Sequence, residues 1–415
     1  MHAIRIIQFA QKKYTRFFPI GLLLLLIFNG CYTSGKHKEI SKENALKKVS
    51  FLTYPKFSDD MDVRSLEQAA MKSLFYLKKI PSERRFSFGK DTYDTTHMIK
   101  SMEHLLLFIQ KKPSNKDLCE FIQSDYTIYK SVGSKKSGDV LFTGYYEPSL
   151  HGSFKKSTQY KFPIFGLPKD LVTIDLSLFL PDLKKTLKGR NKDKSVIPYY
   201  TRKQIDQDNP LEDSADVIAW VNDKVDLFFL HIQGSGKIFL NNGQVLNVHY
   251  HSTNGHPYQS IGSVLINNGK IIKSEVSMQS IRSYLQSHPD EVDEILHSNS
   301  SFVFFKTEKE GPIGSLNVVL TPGRSIALDK NIFPLAALAF IETKKPLINH
   351  SGEIDAWINC KRFVFNHDTG GAIKGPGRAD IFCGNGANAE ITAGHLQHPG
   401  KLYFLVMKHQ PSSDK

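Results

Sequence analysis

Apolar positions repeat at helical spacing early in the chain and give way to strand texture near Val140. Leu66, Ala69, Ala70, Ser73, Leu74 and Leu77 fall three or four apart, the stripe of an amphipathic helix. A second stripe runs through Met98, Met102, Leu105, Leu106 and Ile109, with Thr95 or Thr96 as its expected cap. A third follows Pro113 through Leu118, Phe121, Ile122, Tyr126 and Tyr129. From Val140 onward, β-branched and aromatic runs such as DVLFTGYYEP, VDLFFLHIQGSGKIFL and QVLNVHYH alternate with polar turns. Asn241-Asn242-Gly243 between two such runs signals a hairpin. Ser277–Leu296 returns to helical texture, broken at Pro289, and after Ser301 the chain reads as strand to its end. The pattern predicts a mainly β protein with added α-helices.

The chain has 415 residues, enough for two or three domains, and a net charge of +13. Arg5, Lys12, Lys13 and Arg16 account for four of those charges, which leaves +9 for residues 31–415. A basic surface suits nucleic acid, anionic lipid or an acidic polymer. No zinc-finger spacing or aromatic stacking signature accompanies it, so nucleic acid is not expected as a partner. The four early cations precede the apolar run Phe17–Phe28, which is short for a membrane span and has a signal-peptide layout. Cys31 follows that run and Gly30, as the cysteine of a bacterial lipobox does, although Phe28 and Asn29 depart from the favoured residues. Residues 1–30 are thus read as a signal peptide and 31–50 as a lipidated, lysine-rich tether. The other reading of this segment is an uncleaved anchor. Cys119, Cys360 and Cys383 show no C-x-x-C spacing. A Cys360–Cys383 pairing and free thiols both stay open.

The densest chemistry lies in DTGGAIKGPGRADIFCGNG, which begins at Asp368. Asp368 and Asp380 stand twelve residues apart around a turn containing Gly370, Gly371, Gly375 and Gly377. Glycine lets backbone approach a ligand closely. Phe363 and Phe365 alternate ahead of the turn and Ile381-Phe382 open the next apolar run, so both acids are expected at strand ends. Asp368-Thr369-Gly370 is also the tripeptide of aspartic proteases, but it occurs once, so two copies would have to pair. No His, Cys or carboxylate spacing matches a metal site, and neither metal nor cofactor is expected.

This run resembles the C-terminal three-aspartate (3D) domain of the membrane-bound lytic murein transglycosylase A (MltA) family. FTGYYEP from Phe142, PYYTRKQI from Pro198, FFLHIQGSG from Phe228, NGHPYQSIG from Asn254, SMQSIR from Ser277, SFVFFK from Ser301 and PGRSIALDKNIFP from Pro322 resemble the family's other blocks, in the family's order. The resemblance implies a double-psi β-barrel, assigned here to residues 51–149 and 301–410. It implies a second, inserted β-rich substrate-binding domain at 150–300 and a groove between the two. It further implies cleavage of the β-1,4 bond between N-acetylmuramic acid and N-acetylglucosamine, leaving 1,6-anhydro ends.

By the same resemblance, Asp380 is the general acid and base, Asp368 and Asp329 complete the aspartate set, and Thr143 orients the acid. Like-charge repulsion from the two other aspartates is expected to raise the pKa of Asp380. Tyr145, Tyr146, Gln233, Ser235, Asn254, His256, Tyr258 and Lys374 are the candidate substrate contacts. For Asp329, capping of turn amides competes with a role in the reaction. Hairpin turns compete with sugar binding for the blocks at Gln233 and Asn254. Tyr32, and not a retaining aspartate, follows Cys31, so by resemblance a lipid anchor at the periplasmic face of the outer membrane is favoured. The resemblance also implies a monomeric enzyme, glycan strands as substrate and cell-wall synthesis proteins as candidate partners. Two rivals remain: a hydrolase using Asp368 with Asp380, and a non-catalytic wall-binding lipoprotein.

Overall fold

The computed structural model describes residues 40–134, 137–183 and 185–409. The signal-peptide reading, Cys31 and most of the tether lie outside them. Six strands close on themselves: Val140–Glu147, Arg378–Asn385, Ser325–Ala327, Ile354–Asp368, Leu338–Ile348 and Gln397–Met407, the last pairing back to the first. Val140–Glu147 pairs in parallel with Arg378–Asn385, and Ser325–Ala327 in parallel with Ile354–Asp368. The other neighbours are antiparallel. Closure removes the unpaired edges that an open sheet would expose.

One apolar cluster takes side chains from all six strands, so it is the barrel interior: Val140, Phe142, Ile326, Ala339, Ile341, Val364, Ala379, Ile381, Leu402 and Phe404. A second cluster takes the alternate residues of only three adjacent strands: Leu338, Phe340, Phe363, Phe365, Tyr403 and Leu405. Against these pack Leu66, Ala69 and Ala70 of the helix Val63–Leu77 and Met102, Leu105 and Ile109 of the helix Thr95–Ile109. Those strands are buried on both faces, which is why their sequences are apolar without alternation.

Arg324 ties this helical layer to the barrel. Its fully buried guanidinium donates to both carboxylate oxygens of Asp59, at 2.6 and 2.8 Å, to Ser65 Oγ at 3.0 Å and to the Phe363 carbonyl at 2.8 Å. The second helix is capped by Asp94, whose side chain accepts from the His97 amide, and not by Thr95 or Thr96. The third helix stops at Asp125. Tyr126 is already extended at φ −112°, and Tyr126 and Tyr129 belong to the strand Tyr126–Ser131 beside the barrel.

Between the first barrel strand and the rest, the chain builds a second six-stranded sheet. Its order is Val303–Glu308, Val245–Thr253, Ser235–Leu240, Ser149–Ser153, Val217–Val221 and Phe162–Phe165. A three-stranded sheet of Val172–Asp175, Thr186–Lys192 and Ser195–Pro198 accompanies it. The predicted hairpin at Gly243 is present, with Gly243 at φ +86°. The apolar stretch before it departs from expectation: Lys224–Gln233 is a helix, capped by Asp223 and ended by Gly234 at φ +76°. Leu227, Phe228, Phe229, Leu230 and His231 are all buried, so the segment lacks the polar face that marks a surface helix. A further helix, Ala387–His395, interrupts the strands of the C-terminal part.

Candidate active site

Ala379 and Ile381 point into the barrel, so Arg378 and Asp380 between and beside them point out of it. On the neighbouring strand Val140 and Phe142 point in, and Thr143 points out. Register places Asp380 opposite Thr143. The pair therefore stands on the outer wall of the barrel, on rigid strands. Asp380 is the third residue of the strand Arg378–Asn385, not a strand-end residue as expected, whereas Asp368 does end its strand. The strand begins three residues earlier than Ile381 because Arg378 to Asp380 continue the ladder with Leu141 to Thr143.

The Thr143 hydroxyl donates to Asp380 Oδ1. Arg378 Nη2 donates in turn to Thr143 Oγ1 at 3.3 Å. Burial raises the Asp380 pKa by disfavouring the charged carboxylate, while the Thr143 bond and the Arg378 charge pull it back. Asp368 is held differently. Its Oδ1 accepts from the Ser315 amide at 2.9 Å and the Thr369 amide at 2.8 Å, and its Oδ2 accepts from the Tyr145 hydroxyl at 2.9 Å. Burial still lifts it to about 6, against those three bonds and with a smaller upward push from Asp380. The expected like-charge elevation of Asp380 thus gives way to desolvation as the cause, and the repulsion is felt at Asp368.

Asp329 is 7% exposed, and its Oδ1 accepts from the Asn331 amide at 3.0 Å. Its Oδ2 accepts from the Gly375 amide at 2.8 Å, which pins the glycine turn between the two other aspartates. These are turn-capping bonds, one of the two roles weighed for it. Tyr145 stacks obliquely on Phe382, with centroids 5.3 Å apart, and Tyr146 is buried. Cys360 and Cys383 are free thiols, as is Cys119.

The structure thus brings Thr143, Tyr145, Asp368 and Asp380 together. The blocks expected to carry loop-borne contacts are mostly internal clamps. Gln233 is the last residue of its helix, and its Oε1 accepts from the Tyr146 amide at 3.0 Å. Ser235 is buried and paired with His249 in the second sheet. Asn254 is 1% exposed. Its Nδ2 donates to the carbonyls of Tyr200 and Ser300, both at 2.8 Å, and its Oδ1 accepts from the Phe302 amide at 2.9 Å. The His256 ring bonds the Tyr199 carbonyl at 2.7 Å. Tyr258 and Lys374 are exposed. Arg378 was missed in the sequence, though its place two residues before Asp380 on a strand puts both on one face. Ser315, another donor to Asp368, carries no sequence signal. Among the described residues no group of three or more His, Cys, Asp or Glu is placed to hold a metal.

A closed six-stranded barrel interrupted by a second β lobe, with a half-buried, proton-favouring aspartate on its outer wall, defines a 3D-type barrel enzyme. Residues 324–406 match the 3D domain model and residues 141–306 match the MltA specific insert domain model. The chain belongs to the membrane-bound lytic murein transglycosylase A family. The Escherichia coli K12 member is 33% identical over 280 residues, spanning 67% of this chain and 68% of that one. The crystal structure of a membrane-bound lytic murein transglycosylase from Agrobacterium tumefaciens is 28% identical. It covers 88% of this chain and 98% of that chain, at a TM-score of 0.71. MltA from Neisseria gonorrhoeae is 26% identical, covering 88% and 94%, at a TM-score of 0.66.

Proposed function

We propose that this protein is a peptidoglycan lytic transglycosylase in which Asp380 alone serves as general acid and then as general base. The observation that carries the reading is the contrast between its two neighbouring carboxyls. Burial pushes both toward the neutral form, but Asp380 has one oxygen, Oδ2, with no protein partner among the described residues. Asp368 has both oxygens engaged by Ser315, Thr369 and Tyr145, so it is poorly placed to attack a sugar carbon or to activate a water. A hydrolase needs a second free carboxylate for one of those tasks. A lytic transglycosylase needs none.

The neutral Asp380 gives its proton to the leaving N-acetylglucosamine oxygen as the bond to C1 of N-acetylmuramic acid breaks. The 6-hydroxyl of the same muramic ring attacks the oxocarbenium-like C1 and loses its proton to Asp380. The acid is regenerated, water is not consumed, and the product carries a 1,6-anhydro end. Attack within one ring supplies proximity that a bimolecular reaction lacks.

In this proposal the catalytic barrel comes from within 51–149 and 301–409, and the inserted wall across a groove comes from 150–300 together with the strand Val303–Glu308, which pairs in the second sheet. Exposed Tyr258 and Lys374 are the predicted residues best placed to meet glycan and stem carboxylates. Cys31 carries the lipid anchor and holds a monomer at the periplasmic face of the outer membrane, near the cell-wall synthesis proteins. The relatives' designation as membrane-bound supports that placement. Mass spectrometry of digested sacculi tests the chemistry. Anhydro ends, lighter than reducing ends by one water, are expected, and solvent oxygen incorporated at C1 would establish hydrolysis instead. Asp380→Asn should cut digestion by roughly 10²- to 10⁴-fold in a folded protein.

A further inference from the structure

We infer that Arg378 acts through Thr143 to fix which oxygen of Asp380 carries the catalytic proton; the inference rests on the transglycosylase reading above. A guanidinium can only donate hydrogen bonds. Arg378 Nη2 therefore occupies a lone pair of Thr143 Oγ1. The hydroxyl owns a single hydrogen, and its acceptor among the described residues is Asp380 Oδ1. The direction of the relay is thus set from its far end. Arg378 donates to Thr143, Thr143 donates to Asp380 Oδ1, and Oδ1 is an acceptor in both states of the acid. The proton of the neutral carboxyl is left on Oδ2, the oxygen without a protein partner.

Without the obligate donor, Thr143 could turn and accept a proton from Oδ1. The acid would then hide its proton in the relay and present a bare Oδ2 to the leaving group. Arg378 also bears on the second half of the reaction. Once Oδ2 has given its proton away, the guanidinium stabilises the carboxylate in a half-buried position, where an unassisted charge is costly. Arg378 Nε is itself buried and unpartnered, so the group is not held by a full set of other bonds. The other titratable groups acting around Asp380 are Tyr145, from the adjacent strand, Asp368, from the strand Ile354–Asp368, and Cys383, on its own strand. Burial raises Tyr145 and Cys383, the latter to about 12, so both stay neutral near pH 7. Among the described residues, Arg378 is the cation whose charge acts on Asp380.

Kinetics on soluble glycan strands test the relay, with Arg378→Met, Arg378→Lys, Thr143→Val and the double variant Arg378→Met/Thr143→Val. A general acid must be protonated, so activity falls as pH rises through its pKa. Removing the nearby positive charge lifts that pKa further. The basic limb of the kcat/KM profile should therefore move to higher pH in Arg378→Met and return in Arg378→Lys. In Arg378→Met, kcat should drop about 10-fold or more with KM little changed, the pattern of a lost transition-state interaction. The double variant should lose less than the product of the two single losses, because the relay is broken once by either change and only the charge of Arg378 acts on Asp380 independently of Thr143. An unmoved basic limb, a loss confined to KM, or multiplicative losses in the double variant would each overturn the inference. If Arg378→Met fails to fold by circular dichroism, Arg378→Gln, which keeps a donor without the charge, carries the same limb test. Asp380→Asn is assayed alongside: a folded, active Asp380→Asn enzyme overturns the transglycosylase mechanism itself, a result distinct from any of the Arg378 outcomes.

Discussion

Asp368 is a liability to the folded state above mildly acidic pH, and replacing it with asparagine should reveal this as a pH-dependent gain in stability. The folded carboxyl titrates at about 6, against an ordinary value of 3.8, chiefly because burial disfavours its charge. Between those two values the native state holds more protons than the unfolded chain. Stability therefore falls as pH rises through the window, by about 1.4 kcal/mol per pH unit at most. The full shift corresponds to about 3 kcal/mol, and the solvent contact that Asp368 keeps reduces the expected effect to roughly 1–2 kcal/mol. Asparagine has the same shape, keeps an oxygen for the Ser315 and Thr369 amides, and offers its NH₂ group to the Tyr145 oxygen. It does not titrate. Any constant penalty for lost hydrogen-bond strength cancels when the two proteins are compared across pH. Urea unfolding of wild type and Asp368→Asn at pH 4, 5, 6 and 7 and fixed ionic strength, followed by fluorescence of Trp220 and Trp357, measures the difference. The variant should gain roughly 1–2 kcal/mol on wild type between pH 4 and pH 7. A flat difference, or a variant that loses ground as pH rises, would refute the burial argument and the reading of Asp368 as an engaged, desolvated neighbour of the acid.

Three further outcomes follow from the packing. Asn254→Ala should destabilise the protein by roughly 2–4 kcal/mol, since it leaves the Tyr200 carbonyl and the Phe302 amide without their partner and removes one of two donors to the Ser300 carbonyl; thermal melting checks this, and a stable variant with weakened glycan binding would restore Asn254 as a sugar contact. Arg324→Met should cost about 3–5 kcal/mol in chemical denaturation, because Asp59 is left buried without its partner. Gly144→Ala should cost about 1–3 kcal/mol and also slow digestion, because its Cβ would lie 2.9 Å from Ala393 Cα and 3.0 Å from Cys383 Sγ, next to Thr143 in the chain; a melting temperature unchanged from wild type would show that the helix Ala387–His395 yields freely.

The aspartate run and the helical stripes were legible in the sequence for the same reason: each is a local pattern that one element realises. Leu66 to Leu77 and Met98 to Ile109 bury the faces their spacing marks. Legibility failed where long-range contacts overrode the local pattern. Tyr126 and Tyr129 continue the stripe of the third helix by spacing, yet they are buried strand residues because the chain must pair with Gln397–Met407 there. Phe228 to Gln233 reads as a strand because burial on all sides erases helical periodicity, although Asp223 and Gly234 stood at its two ends as cap signals.

The site divides along the same line. Asp380 and Thr143 are named by motif, but their meaning depends on a register between strands more than two hundred residues apart in sequence. Amide side chains show this most sharply. Gln233 and Asn254 carry the groups that would suit sugar hydroxyls, and the same groups satisfy a buried backbone amide or carbonyl equally well. Only the partner opposite decides between the two uses, and here the partners are Tyr146, Tyr200, Ser300 and Phe302. A polar residue beside a glycine therefore says that a hydrogen bond is wanted, while the fold says by whom. Arg378 is the converse case. It has no motif of its own, and strand alternation from Asp380 is enough to place it on the reacting face.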